Sequence, residues 1–371
     1  VSDSLWPDEP GVNPQVLVAA REALGWTQGQ LADRLSELSG ARPKISQGYV
    51  SRVEKGVLSA QADRAELFAA ALGCTVDLLV SEAKLWSLGD GCLYHRNRTS
   101  TKSSTLRRLH AQVNLVRLAL HRLAAAVGVE LPVFDMTPMP VGGLYGPSDA
   151  ARAVRESLGL GKGAVESVTG VAERLGVLVV PMSLGGREVD ATSLHPPGEA
   201  PIFVVNTDAP TDRQRFTLAH ELGHLVCAPE VDLDVEEMAQ AFAAELLAPA
   251  REVRVDLAAA PITPARLLQL KSVWRVSAAA LLRRAVDLAV VTDSRYRTVS
   301  AQMSALGWRS TEPDPLPRER TRVVPALLAS SVADLGGPRA AAGVAGAPLE
   351  VLRGAFGVGL VDGEPSEGSG T

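Results

Sequence analysis

Five residues constrain this chain more than any other feature. His220-Glu221-Leu222-Gly223-His224 lies inside a helical stretch, 213 to 227, whose other positions include Phe216, Leu218, Ala219 and Val226. A helix over these residues is apolar nearly all round, so it must be buried, and it takes two imidazoles and a carboxylate inside with it. Residues four apart on a helix lie one above the other, so both imidazoles can reach a single ion. Glu221, turned about 100° from His220, stands beside the open coordination position. Two His at this spacing with a Glu between them are suited to hold Zn2+ for hydrolysis of a peptide bond, with His220 and His224 as ligands and Glu221 as general base.

A third protein ligand is required. Downstream candidates are Glu230, Asp232, Asp234, Glu236, Glu237 and Glu245. The helix expected over 234 to 247 carries Val235, Met238, Phe242 and Leu246 on its apolar stripe. Glu236 borders that stripe beside Ala239 and Ala243, small residues that leave room for another helix, whereas Glu237 points nearly opposite. Glu245 borders the stripe on its other side, and helical geometry does not exclude it.

The runs PIFVVN, RQRFTLAHELGH and EEMAQAFAAELLAP, spanning about 201 to 249, resemble the ImmA/IrrE family of zinc metallopeptidases. That resemblance implies an α+β, zincin-like domain. It also implies that the third ligand is the Glu four residues ahead of an Asn in the second helix, a register that falls on Glu236. The chain departs from the family pattern at Gln240, which stands in the Asn position, and at Ala248, where the family often has Met before Pro249. Both substitutions concern support around the ligands rather than the ligands themselves.

The N-terminal region reads as short helices. Thr27 and Gln30 have capping-box spacing ahead of Leu31, Ala32, Leu35 and Leu38. After a turn holding Gly40 and Pro43, Ser46 can cap a second helix that turns Val50 and Val53 inward, leaves Gln47, Tyr49, Ser51 and Arg52 outside, and stops at Gly56. Such a pair suits either a helix-turn-helix, whose outer polar side chains hydrogen-bond base edges, or a helical module that binds protein. Gln28, at the start of the first helix of the pair, is placed to meet a phosphate. The runs WTQGQLADRL, QGYVSRVEKG and LFAAALGCTVDLL resemble the lambda-repressor-like (XRE/Cro) DNA-binding domain over 13 to 80, with a longer turn, SGARPK, than is common there. By that resemblance Gln47, Tyr49, Ser51 and Arg52 fall where the family reads bases, and the partners are a double-stranded DNA operator and a second copy in a homodimer.

The formal net charge of −5 discourages a nucleic-acid role only when taken whole. Residues 1 to 80 carry seven basic against ten acidic side chains, whereas 81 to 125 carry eight basic (Lys84, Arg96, Arg98, Lys102, Arg107, Arg108, Arg117, Arg122) against Glu82 and Asp90. A basic stretch directly after the reader is suited to tracking a phosphate backbone or to forming a solvated helix face. Within it, Leu106, Leu109, Val113, Val116, Leu120 and Leu123 recur at three- and four-residue steps, as on one face of a long helix over 101 to 127.

The expected organisation is multidomain: an all-α helix-turn-helix domain at 13–80, a basic helical connector at 81–131, a Pro/Gly linker at 132–150, an α+β metallopeptidase domain with helical extension at 151–310, and a C-terminal region at 311–371 whose last residues lack apolar anchors and read as mobile. Strands are expected at 177–180 and 202–206. Cys74, Cys92 and Cys227 have unrelated spacings and read as reduced core residues, and with no apolar run long enough to span a bilayer and no secretory leader pattern the expected location is cytoplasmic, with no membrane partner. LKSVWRVSAAALLRRAVDL and YRTVSAQMSALGWRSTEP resemble the region common in proteins that fuse the two families. The fusion implies a transcriptional regulator whose Zn2+ peptidase cuts a repressor partner or itself, in stress response or mobile-element control. The alternative is a regulator whose zinc domain senses a ligand or partner without turnover.

Overall fold

The computed structural model describes residues 11–60, 62–86, 102–186, 189–230, 233–309 and 311–357. The first helices use the caps that the sequence offers. α1 (Pro14–Ala23) begins behind Asn13, whose side chain accepts from the backbone N–H groups of Gln15 and Val16. α2 (Gln28–Ser39) opens on the Thr27/Gln30 capping box and closes at Gly40. α3 (Gln47–Glu54) is capped by Ser46, and α4 (Ala62–Leu72) and α5 (Val76–Leu79) follow. The long turn between α2 and α3 is pinned by Ser36, whose hydroxyl donates to the Ala32 carbonyl at 2.8 Å and accepts from the Ile45 N–H at 2.8 Å. Leu31, Leu35, Val50 and Val53 are fully buried, while Leu38, the next-to-last residue of α2, is 42% exposed.

α6 (Ser103–Ala126) follows the predicted face, with Leu109, Val113, Val116, Leu120 and Leu123 buried. It is not a bare connector. Leu115, Leu118 and Ala119 on its other faces are buried too, because α1 packs against it and further helices cover it.

Residues 132–322 form the second unit. It contains β1 (Met139–Val141), α7 (Pro147–Ser157), α8 (Val168–Arg174), β2 (Leu178–Met182), β3 (Ala191–Leu194), β4 (Ile202–Asn206), α9 (Thr211–Val226), β5 (Cys227–Pro229), α10 (Val235–Leu247), α11 (Ala250–Ala258), α12 (Pro264–Trp274), α13 (Ala278–Asp287) and α14 (Asp293–Ala305). The central strand β4 pairs parallel with β2 and antiparallel with β3, and β1 and β5 form a separate parallel pair. The stretch expected as a free Pro/Gly linker is folded onto this unit: Val141 is fully buried, and Phe134, Met136 and Met139 pack on the core. Gly176 makes that docking possible. Its φ is +87°, and a Cβ there would lie 2.0 Å from the Val133 carbonyl oxygen.

After α14 an extended strap, 311–322, crosses the second unit on two glutamates. Glu312 accepts from the N–H groups of Ala278 and Ala279 at the start of α13 and from Lys271. Glu319 accepts from the N–H groups of Val168 and Thr169 at the start of α8 and pairs with buried Arg215. Both carboxylates thus sit on the positive ends of helices.

The chain then returns to the first unit. α15 (Val323–Asp334), α16 (Pro338–Ala345) and α17 (Leu349–Phe356) pack on α6, burying Leu327, Ala341, Ala345 and Leu352. The Gly346 carbonyl accepts from the Thr75 N–H at 2.9 Å, and the Arg122 Nε donates to the Val344 carbonyl at 2.8 Å. The region expected as one terminal segment from 311 is therefore divided near 323, because the apolar faces of these three helices find their core beside α6. Residues 358–371, which include the tail expected to be mobile, lie outside the described residues. No helix among the described residues is long and apolar enough to cross a membrane.

Replacing Glu319 by Ala leaves the Arg215 guanidinium, 3% exposed, buried without its carboxylate. We expect a loss of about 3 kcal/mol in the unfolding free energy of the second unit, read from urea denaturation, with Glu319→Gln intermediate.

Candidate functional site

α9 and α10 touch where both lack bulk. A Cβ on Gly223 would come within 3.0 Å of the Ala239 Cα and 3.2 Å of its carbonyl oxygen, so the two backbones meet at this pair. Glu236, one turn before Ala239, is thereby carried to the histidines: its carboxylate oxygens lie 3.5 Å from His220 Nε2 and 3.8 Å from His224 Nε2, and the two Nε2 atoms are 3.0 Å apart. The ligand atoms of His220, His224 and Glu236 all lie within 4.8 Å of one another. Asp234 fixes the start of α10 by accepting from the N–H groups of Glu236 and Glu237, which keeps Glu236 in the first turn.

The other candidates for third ligand are occupied elsewhere. Glu230 accepts from the Gly143 N–H, Asp234 is the cap of α10, and Glu237 turns away toward a cavity. Glu245 is buried in an ion-pair cluster with Arg152 and Arg284 and accepts from the Ala250 N–H. Asp232 lies outside the described residues.

Burial drives both imidazoles toward the neutral form, in which a ring nitrogen keeps its lone pair. The pKa of His220 falls to about 3, through desolvation and then the neighbouring His224, and that of His224 falls to about 4 through desolvation. Two neutral imidazoles and one carboxylate converging from two helices are a donor set suited to a zinc ion.

Glu221 faces away from α10, toward the edge strand β3. It is completely buried, and burial, opposed by a hydrogen bond from Ser193 and reinforced by Glu236, pushes its carboxyl pKa up to about 8. The Ser193 hydroxyl donates to Glu221 Oε2 at 2.5 Å, and Oε1 accepts from no described residue. Two residues on, His195 presents a buried Nε2 with no hydrogen-bond partner among the described residues. Desolvation, with a smaller contribution from His224, lowers its pKa to about 4. Neither β3 nor Ser193 stands out in the sequence, since a four-residue strand of small and polar residues carries no periodicity. Cys227 is buried with its thiol pushed up to about 12 by desolvation, which leaves it unreactive.

In the first unit the Arg21 guanidinium pairs with Glu54 at 2.6 Å and donates to the Trp26 carbonyl, tying α1 to α3. Glu54 also accepts from Gln28 at 2.7 Å, and Gln28 Oε1 accepts from Gln47 at 2.6 Å. Gln28 and Gln47 are therefore coupled across the α2–α3 pair. Gln47 and Arg52 are exposed and Ser51 is half-buried, whereas the Tyr49 ring stacks on Phe68 of α4 with Arg64 above it. The basic stretch after α5 is partly consumed by the fold. Arg117 is buried with Nη2 donating to the Lys84 carbonyl, Arg122 holds α16, and Arg96 and Arg98 lie outside the described residues, which leaves Lys102, Arg107 and Arg108 exposed on α6 and its approach and Lys84 exposed over the Trp86 ring.

Comparison with protein families matches both regions. The M78 peptidase model, described as IrrE N-terminal-like domain, covers residues 172–286, and a Helix-turn-helix model covers residues 17–79. The chain fuses a helix-turn-helix domain to an IrrE-like domain. A search of curated proteins returned no match. The IrrE-like match spans β2 through α13 and so includes the His220, Glu221, His224 and Glu236 cluster, which marks the second unit as metallopeptidase-like. The helix-turn-helix match takes in most of α1 and all of α2 to α5.

The site predicts that purified protein carries about one zinc per chain, measured by plasma mass spectrometry. The His220→Ala, His224→Ala double variant should lose it. Glu245→Ala should retain the metal while losing several kcal/mol of stability, about 3, because Arg284 is left buried without its carboxylate.

Proposed function

We propose that the chain is a DNA-binding transcriptional regulator whose second unit is a zinc-dependent peptidase acting on a repressor partner or on the chain itself. The observation that carries the reading is the buried Glu221 carboxylate beside a converging pair of neutral histidines and Glu236, in one polypeptide with a helix-turn-helix. In this reading His220, His224 and Glu236 hold the zinc, which when bound supplies a Lewis acid for the peptide carbonyl.

The chain's own residues supply the proton transfers. Glu221 takes a proton from the attacking water and delivers it to the leaving amine as the C–N bond breaks. Burial, by holding its pKa above the usual carboxylate range, makes the ionised Glu221 a stronger base than an exposed glutamate. Ser193 holds one carboxylate oxygen, which fixes the rotamer and leaves Oε1 for the proton. His195, just beyond the end of β3 and with an unpaired ring nitrogen, is available to steady the developing oxyanion.

Gln47, Ser51 and Arg52 on α3 read base edges in the major groove in this proposal, and Gln28 meets a phosphate at the start of α2. The Gln28–Gln47 hydrogen bond orients both amides, and Tyr49 is assigned chiefly to holding α3 on α4. The operator-bound form is a homodimer on double-stranded DNA.

Glu221→Gln should keep one zinc per chain and lower cleavage by at least about a hundredfold. The check is to map DNA-binding sites and new protein N-termini in cells carrying either form; regulation that survives the substitution unchanged sinks the peptidase role. On DNA, Gln47→Ala and Arg52→Ala should each cost about 1–3 kcal/mol on a selected operator, read by fluorescence anisotropy, with binding that weakens steeply with salt.

A further inference from the structure

The second unit carries a cleft of about 940 Å³, open to solvent, between α9, α10, α13, α14 and the strap, at the upper end of the range for organic ligands. Its walls combine Phe216, Met303 and Trp308 with the small faces of Ala241 and Ala244. The charged groups on the lining are largely matched to one another: Lys271 with Asp212 and Glu312, and Arg283 with Asp287. Asp190 is paired as well, with Arg213, but through one oxygen only. It is 1% exposed, its Oδ2 accepts from Arg213 Nε at 2.7 Å, and its Oδ1 accepts from no described residue. A buried carboxylate oxygen without a donor is costly, and a ligand N–H is the complement it lacks.

Position narrows the occupant. Thr217 lines the cavity one turn before Glu221 on α9, and Gln240 lines it one turn after Glu236 on α10. The two helices therefore carry the lining directly into the catalytic carboxylate and the metal ligands, at a spacing of about 5.4 Å per turn. An apolar side chain with an N–H donor beside it is what each hydrophobic residue of a polypeptide presents.

We propose that this cavity takes a large apolar residue of the polypeptide substrate, next to the cleaved bond, with its backbone N–H on Asp190. The assignment rests on the peptidase reading above. Phe216 and Trp308 select aromatic or long aliphatic side chains, and Gln240, which replaces the family's Asn, contributes its amide to the cavity mouth rather than to a zinc ligand.

The test uses the zinc-loaded full chain and three probes, followed by saturation-transfer NMR: N-acetyl-phenylalaninamide, N-acetyl-glycinamide and phenethylamine. The phenylalanine compound should bind, the glycine compound should not, and Ala241→Phe or Ala244→Phe, each checked for native circular dichroism and zinc content, should weaken binding at least tenfold. In a mixed peptide library scored by mass spectrometry, the native chain should prefer a large apolar residue at one position flanking the cut, and the filled variants should lose that preference. Equal binding of the glycine compound, or binding untouched by both filled variants, overturns the proposal. Phenethylamine binding as tightly as the capped residue would assign the cavity to a free amine and also overturn it. If the capped phenylalanine binds as expected but no library peptide is cut, it is the peptidase reading that fails, and the substrate role falls with it.

Discussion

The contact between Gly223 and Ala239 is the constraint on which the site depends. Two helices whose backbones meet bring the first turn of α10 within ligand distance of the middle of α9, and any side chain at position 223 would force them apart. The consequences run in both directions. Phe242 and Leu246 of α10 and Leu218 and Leu222 of α9 are fully buried by the same approach, so the core and the His220, His224 and Glu236 cluster share one packing solution. This is why the pair of histidines can be 1% and 7% exposed in their side chains while Glu236, at 44%, still faces the outside: the helices close over the imidazoles and leave the cluster open on one side only.

Acidic side chains carry much of the remaining architecture. Glu312 and Glu319 each bind the N–H groups at the start of a helix and a buried cation, Glu54 binds Arg21 and Gln28, and Glu245 binds two arginines. Lys271 illustrates the balance. Burial works against its charge, but Asp212 and Glu312 outweigh that cost and hold its pKa above the usual lysine range. Removing one partner from such a cluster costs more than the cluster contributes when whole, since the survivor is left desolvated. Part of the acidity outside the connector is therefore structural, and the total charge says little about nucleic acid.

What the sequence reveals and what it hides divides along the range of the interaction. Caps, helix faces and the His-Glu-x-x-His helix depend on residues within a few positions of each other, and Thr27, Ser46 and the α6 stripe are used as read, whereas Asp234, a candidate ligand in the sequence, caps α10 instead. Choosing among Glu236, Glu245 and Glu230 depends on which helix approaches which: helical periodicity does not separate Glu245 from Glu236, and it is Arg152 and Arg284, distant in sequence, that claim Glu245. Strand β3 is invisible for a related reason. Ala191–Leu194 is buried on both faces, so it shows no alternation, yet it supplies Ser193 to Glu221. The cations of 81–125 form a basic stretch in the sequence, but a helix surrounded on several sides must turn some of them inward, and Arg117 and Arg122 bind backbone carbonyls of their own unit instead.

The return of α15–α17 to α6 gives the chain a topology that bears on regulation. The first unit is completed only by residues beyond 322, so everything from 132 to 322 is an insertion between α6 and α15. Closing a flexible loop of that length would cost about 5 kcal/mol in chain entropy, a cost that falls once the inserted unit folds and restrains the loop. The two units are joined by the chain at two points, one following α6 and the other leading into α15, and both helices belong to the core of the unit that carries the helix-turn-helix. A cut within 311–322 would therefore not simply release a tail. It would leave α15–α17 held on α6 without a covalent link, by packing and by hydrogen bonds such as Arg122 to Val344, Thr75 to Gly346 and Leu349 to Gly73, and would convert an intramolecular contact into one that dissociation can undo.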